Sequence, residues 1–79
     1  MSSDQAYQDV FIQSLSINKD KFNNEIKYND IPEWDSIGHM TLMSALEEKF
    51  DITLETDDIV DFSSYIKGKE ILKKYKINF

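Results

Sequence analysis

The chain has no cysteine, no arginine, two glycines, one proline and one histidine in 79 residues. Without cysteine there are no disulfides, no zinc–thiolate sites and no cysteine nucleophile, so any thiol chemistry must come from a cofactor. Arginine is the side chain best shaped to hold phosphate bidentately, and its absence removes the usual signature of nucleic-acid recognition. No apolar run approaches the ~20 residues of a membrane span, and no basic flank followed by an apolar stretch marks a secretory signal near Met1. Gly38, Gly68 and Pro32 are the only strong chain breakers. Alternating strand patterns are few, so we expect helices.

What is present is acid, placed unevenly. Residues 1–29 carry a net charge of −1, residues 30–61 carry −9 with Lys49 as their only base, and residues 62–79 carry +4. The dominant field is negative and centred on the middle of the chain. It steers basic surfaces there and excludes a nucleic-acid partner. Hydrophobic residues make up 41% and charged residues 30%, which is enough apolar content for a folded core. The length allows one domain, residues 1–79.

Four helices follow from the pattern. The first runs from about Ser3 to Leu15. Ser2 to Gln5 reads as a capping box, and Tyr7, Val10, Phe11 and Leu15 share a face. From Ser16 to Asp35 the pattern breaks into a long connection, pinned to the core by Phe22, Ile26, Ile31 and Trp34. The second helix runs from Ser36 to Lys49 or Phe50, with Asp35 and Ser36 both of N-cap type. It buries Leu42, Leu46 and Phe50, flanked by His39 and Met43. Thr56 is expected to cap a short third helix, with Asp57 and Asp58 in its first turn to complement the dipole. Ser63 or Ser64 should cap the last helix, which buries Tyr65, Ile71, Leu72 and Tyr75 and ends near Tyr75. The fold class is therefore an all-α four-helix bundle with a short third helix and a long first loop. Met40 and Met43 are expected in its core, and Trp34 as a loop anchor.

Candidate chemistry centres on Asp35-Ser36-Ile37. A serine at a helix start is exposed and lies beside unpaired backbone N–H groups, a setting that suits a phosphate on its hydroxyl. The local pattern alone favours a plain N-cap serine. Asp35, Ser36 and His39 do not make a hydrolytic triad, because neighbours on one helical turn cannot reproduce its linear relay. His39 is read as packing beside Met43 at the mouth of the bundle. Asp57, Asp58 and Asp61 lack the glycine and the closing glutamate of a calcium loop, so no metal site is expected.

The stretch from Trp34 to Phe62, WDSIGHMTLMSALEEKFDITLETDDIVDF, resembles the acyl carrier proteins. The Asp-Ser-Leu hallmark of that family is matched by Asp35-Ser36-Ile37. Leu42, Ala45-Leu46-Glu47-Glu48 and Phe50-Asp51-Ile52 fit at the right offsets, and the likeness runs from about Glu33 to Leu72. The resemblance implies that a phosphopantetheinyl transferase, using magnesium, moves 4′-phosphopantetheine from coenzyme A onto Ser36. Asp35 would assist by helping the transferase hold the magnesium. The arm's thiol would carry acyl groups as thioesters. The chain would then be a carrier, not an enzyme.

The resemblance further implies docking through the second helix. Ile37 and Met40 would make apolar contacts, Glu47 and Glu48 acidic ones, and Asp57 and Asp58 an extension of that patch. Dipole compensation explains Asp57 and Asp58 equally well. Partners would be the transferase and acyl-loading or acyl-transferring enzymes with basic docking patches, in fatty-acid or specialised biosynthesis. The carrier is expected to be a cytoplasmic monomer, away from nucleic acid and membrane. Met1 and the short tails suggest a free-standing bacterial carrier. Fatty-acid carriers usually place acids where Gly38 and Thr41 stand. Those departures point to a specialised carrier, or to an aminoacyl or peptidyl carrier, and Gly38 suggests close approach by a partner or by the arm. A cofactor-free acidic helical adaptor is the alternative of another class.

Overall fold

The computed structural model describes residues 3–79. Among these residues four helices form, α1 (Ser3–Leu15), α2 (Ser36–Phe50), α3 (Thr56–Asp61) and α4 (Tyr65–Lys73), with a 3-10 turn at Lys19–Lys21. The expected all-α bundle, with its short third helix and long first loop, is the fold observed. The capping box read at the chain start depends on Ser2, which lies outside the described residues.

α1 buries Tyr7, Val10, Phe11 and Leu15, as the spacing predicts, together with Ile12. It packs against α2, which buries Leu42, Met43 and Leu46. The long loop is tied down by its apolar residues. Ile26 and Trp34 are buried, while Phe22 and Ile31 pack against the core from its edge. The loop also pairs with the α3–α4 junction. Tyr28 N–H donates to the Ser63 carbonyl at 2.9 Å, and Tyr65 N–H donates to the Ile26 carbonyl at 3.0 Å. Aromatic rings fill the centre: Phe11 meets Trp34 and Tyr65 edge-on, with centroids 4.9 and 5.1 Å apart.

α2 ends at Asp51, which adopts the left-handed conformation with φ 54°. An aspartate tolerates that region better than most side chains. The Asp51 and Ile52 N–H groups both donate to the Glu47 carbonyl. This satisfies an acceptor that the helix end would otherwise leave open.

Three sequence expectations are corrected. Thr56 does not cap α3. The N-cap is Glu55, which makes no side-chain cap bond. Its N–H donates instead to the Tyr75 hydroxyl at 3.0 Å, so a side chain from beyond α4 fixes the start of α3. Met40 is not in the core: it is 53% exposed, whereas Met43 is 1% exposed. Finally, α4 ends as a regular helix at Lys73. The chain tightens through Lys74, Tyr75 and Lys76, whose N–H groups reach back three residues. The cap of α4 is Ser64, whose hydroxyl accepts the Lys67 N–H at 2.9 Å.

Candidate functional site

Ser36 is the first residue of α2 and is exposed. Its position is set by Asp35, whose extended backbone turns the chain into the helix. The Asp35 carboxylate accepts the Gly38 N–H at 2.8 Å. The positive end of the α2 dipole therefore lies beside the Ser36 hydroxyl.

Gly38 is what lets the loop run this close to α2. A Cβ at that position would fall on the backbone carbonyl oxygen of Glu33 and crowd Leu15. The close approach expected of Gly38 is thus made by the chain's own loop. An acidic side chain at this position would meet the same obstacle. Thr41, the other departure, donates its hydroxyl to the Ile37 carbonyl at 3.1 Å, a bond within the helix.

Ser36 also helps to line a groove of about 330 Å³ between α2 and α3. Tyr28, His39, Met40, Ile59, Val60 and Phe62 form most of its wall, which is largely apolar. Phe62 is 1% exposed and makes the floor, while Val60 is 75% exposed at the surface. Ile37, 76% exposed, and Met40 border a second, shallow depression that Ser36 also touches. Three large apolar side chains therefore stand open around one exposed hydroxyl. An exposed apolar patch rimmed by polar residues is typical of an interaction site.

His39 closes the inner side of the groove. Its Nδ1 accepts the Trp34 indole N–H at 2.9 Å, and its Nε2 lies 2.8 Å from the Ile59 carbonyl. Because the indole can only donate, Nδ1 carries the lone pair and Nε2 carries the proton given to Ile59. One ring thus ties the long loop, α2 and α3 together. Both nitrogens are occupied, so the ring is not free to act as a base toward Ser36. His39 is read from the sequence as packing beside Met43 at the mouth of the bundle, and the structure adds a polar clamp at that position. Trp34, completely buried, anchors the loop as expected.

The acidic residues proposed for docking separate. Asp57 and Glu48 are exposed, and Glu48 borders a depression shared with Val10 and Gln13 of α1. Glu47 is half-buried, and its carboxylate accepts the Leu54 N–H at 2.8 Å, fixing the α2–α3 connection. Asp58 is turned inward and is 7% exposed. It accepts from the Lys74 ammonium and the Tyr75 hydroxyl. Those two donors hold its carboxyl below the usual carboxylate range. Asp58 thus leaves the docking set and serves as the tie between α3 and the end of α4. The sequence reading missed Tyr28, Val60 and Ser63 as groove residues, and missed the Tyr75 hydroxyl. The adjacent apolar pair on so short a helix was the available signal for Val60: Ile59 packs against the core, and Val60 stays exposed. Nothing in the sequence pairs Tyr75 with Glu55 and Asp58.

Comparison with known proteins bears on this geometry. No protein-family model matches the chain, and no solved structure matches it. An acyl carrier protein from Bdellovibrio bacteriovorus HD100 is 28% identical over 68 residues, covering 78% of this chain and 87% of the relative. No helix among the described residues is long and apolar enough to cross a membrane. The exposed serine at the head of α2, the four-helix fold and this similarity together support a carrier role.

Proposed function

We propose that the chain is an acyl carrier protein whose Ser36 hydroxyl bears 4′-phosphopantetheine. The observation that carries this reading is the placement of Ser36: exposed, first in a 15-residue helix, fixed by Asp35, and adjoining an apolar groove. The residues fit the group. A phosphodiester on Ser36 would lie at the positive end of α2, and the groove offers apolar surface within reach of the same residue. The arm, when attached, supplies a thiol that holds acyl groups as thioesters. The protein's own side chains do the rest: Ser36 offers the oxygen, Asp35 holds the helix start in place, and Gly38 lets the loop pass beneath it. The base that activates Ser36 would come from the transferase, and Asp35 would help the transferase hold its magnesium.

Docking on this reading uses Ile37 and Met40 beside Ser36, with Asp57, Glu48 and the outer part of Glu47 as acidic contacts. Rim charges of this kind raise association rates and select partners more than they tighten binding, which suits a carrier that visits several enzymes. The partners are enzymes with basic docking patches, and the carrier works as a single-domain cytoplasmic monomer over residues 1–79. The cargo belongs to fatty-acid or specialised biosynthesis. The close approach of the Glu33 carbonyl gives Gly38 a reason within the fold, and an aminoacyl or peptidyl carrier of a specialised pathway is the alternative within this reading.

The test is intact mass after incubation with coenzyme A, magnesium and a broad-specificity phosphopantetheinyl transferase. Wild type should gain one phosphopantetheine and Ser36→Ala none. Failure of wild type, with an active control carrier, would move the assignment to a cofactor-free adaptor that uses the same apolar face. A gain on both would place the attachment on another residue.

A further inference from the structure

We propose that His39 is a positioning residue for the transfer of the arm: it seats Trp34, and through Trp34 it holds the corner that presents Asp35 and Ser36 to the transferase. This rests on the carrier reading and assigns to that reaction a residue whose ring nitrogens are both committed elsewhere.

The corner needs holding. The loop that ends in Asp35 has little regular structure to aim it, a three-residue 3-10 turn and an isolated bridge from Lys27 to Ser64. At the start of α2, the Asp35 carboxylate accepts the Gly38 N–H and the Asp35 carbonyl accepts the His39 N–H, both at 2.8 Å. These bonds close the first turn of the helix. They do not fix the direction of the chain that enters it.

That direction is set at Trp34. Its N–H donates to the Ile31 carbonyl and its carbonyl accepts the Asn29 N–H, both at 3.1 Å. Those partners belong to the loop and move with it. The indole N–H crosses instead to α2, where His39 Nδ1 accepts it at 2.9 Å. The indole has no exposed surface, so losing this acceptor leaves a buried donor unpaired, which costs free energy. Trp34 stays seated while that nitrogen faces it, and Ser36 is two residues along the chain from the seat.

His39 is itself braced. Its Nε2–H donates to the Ile59 carbonyl at 2.8 Å. Ile59 lies in the last turn of the six-residue α3, where carbonyls lack partners inside the helix. Tyr28 and Phe62 meet the imidazole edge-on, with centroids 5.5 and 6.0 Å away. The ring is thus oriented from the loop and from α3 before it receives the indole.

The experiment varies the concentration of the full chain at saturating coenzyme A and magnesium, with a broad-specificity phosphopantetheinyl transferase. Arm transfer is timed by intact mass, at a temperature where circular dichroism shows each variant folded. Without the seat only a fraction of molecules present the corner correctly, and apparent affinity falls by that fraction. His39→Ala should therefore raise KM about tenfold and leave kcat within about twofold of wild type. Trp34→Phe keeps a ring but lacks the donor, and should raise KM similarly. Adding His39→Ala to it should change little more, because the two side chains act as one unit. His39→Asn, whose amide oxygen can accept the indole N–H, should recover most of the wild-type KM. Tyr7→Phe loses a buried hydrogen bond to the Tyr65 carbonyl instead and should keep the wild-type KM. Amide exchange at Gly38 should quicken in His39→Ala and Trp34→Phe but not in Tyr7→Phe.

A folded His39→Ala with the KM of wild type would overturn the assignment. So would His39→Asn no better than alanine, or an equal rise in Tyr7→Phe, which would make lost stability the cause. If His39→Ala does not fold, Trp34→Phe decides, and a wild-type KM there overturns the assignment. Wild type that gains no arm, beside a control carrier that does, would overturn the carrier reading itself. Arm transfer at one KM in all variants would overturn the role of His39 alone.

Discussion

The indole N–H of Trp34 and the Nδ1 of His39 are bonded at 2.9 Å, and the opposite nitrogen of the same ring reaches the Ile59 carbonyl at 2.8 Å. A loop, a long helix and a six-residue helix are joined through one imidazole. α3 is too short to be stable alone, so bonds of this kind hold it in place.

Replacing His39 with alanine removes both bonds and leaves the Trp34 N–H buried without a partner. The expected cost is about 1–3 kcal/mol, a fall in melting temperature of roughly 4–8 °C per kcal/mol for a domain this size. Trp34 is the only tryptophan, so its fluorescence reports the same event. Urea unfolding followed at the tryptophan emission should show an earlier midpoint and a red-shifted native spectrum. A midpoint within experimental error of wild type would show that the clamp carries no stability.

Acid stability should depend on Asp58. Its carboxyl is held below its ordinary range by the Lys74 ammonium first and the Tyr75 hydroxyl second. A depressed carboxylate stabilises the fold above its unfolded-state pKa of about 4 and loses that contribution as pH falls through the folded value. Asp58→Asn should lower the melting temperature at pH 7, by the equivalent of about 1–2 kcal/mol for a charged hydrogen bond. The difference from wild type should shrink as pH falls below 4. Parallel melting curves from pH 7 to pH 2.5 decide this, and a gap independent of pH would refute it.

The helices were readable because their caps and stripes are local: Asp35 before Ser36, Ser64 before Tyr65, and Tyr7, Val10, Phe11 and Leu15 on one face. The exposed position of Ser36 at the head of α2 was readable for the same reason. The groove was not. Tyr28, His39, Val60 and Phe62 come from three separate segments, and only tertiary packing brings them together. Asp58 shows the limit most clearly. It sits next to Asp57 in a short acidic helix, and nothing local distinguishes the two. One faces solvent and the other binds residues sixteen and seventeen positions later. Gly38 looked like a concession to a partner, whereas its cause is a loop carbonyl five residues earlier.

Adding a methyl group at Gly38 should therefore do more than improve helix propensity. Alanine gains about 1 kcal/mol over glycine in a helix interior, but the Cβ must displace the Glu33 carbonyl. Overpacking of this sort costs about 1–3 kcal/mol, and the strain falls on the loop that leads into Asp35 and Ser36. Gly38→Ala should melt no higher than wild type and should accept the arm more slowly in a timed mass assay. A variant that is more stable and modified at the wild-type rate would show that the loop yields freely.

At high pH the aromatic core should set the limit. Burial pushes the Tyr65 phenol up to about 12 and Tyr7 higher still. Tyr7 also donates its hydroxyl to the Tyr65 carbonyl at 2.7 Å. These groups stay protonated in the fold while the unfolded chain ionises near pH 10. Their raised values contribute stability below that point, and it is lost as pH climbs toward the folded values. Lys74 and Tyr75, both raised by Asp58, add to the same loss. The wild-type melting temperature should therefore fall steeply between about pH 10 and 12. Tyr7→Phe loses one buried hydrogen bond, about 1 kcal/mol at neutral pH, but has one fewer phenol to ionise. Its melting temperature should start below wild type at pH 7 and converge on it by pH 11. Curves that stay parallel across that range would mean that Tyr7 contributes packing alone.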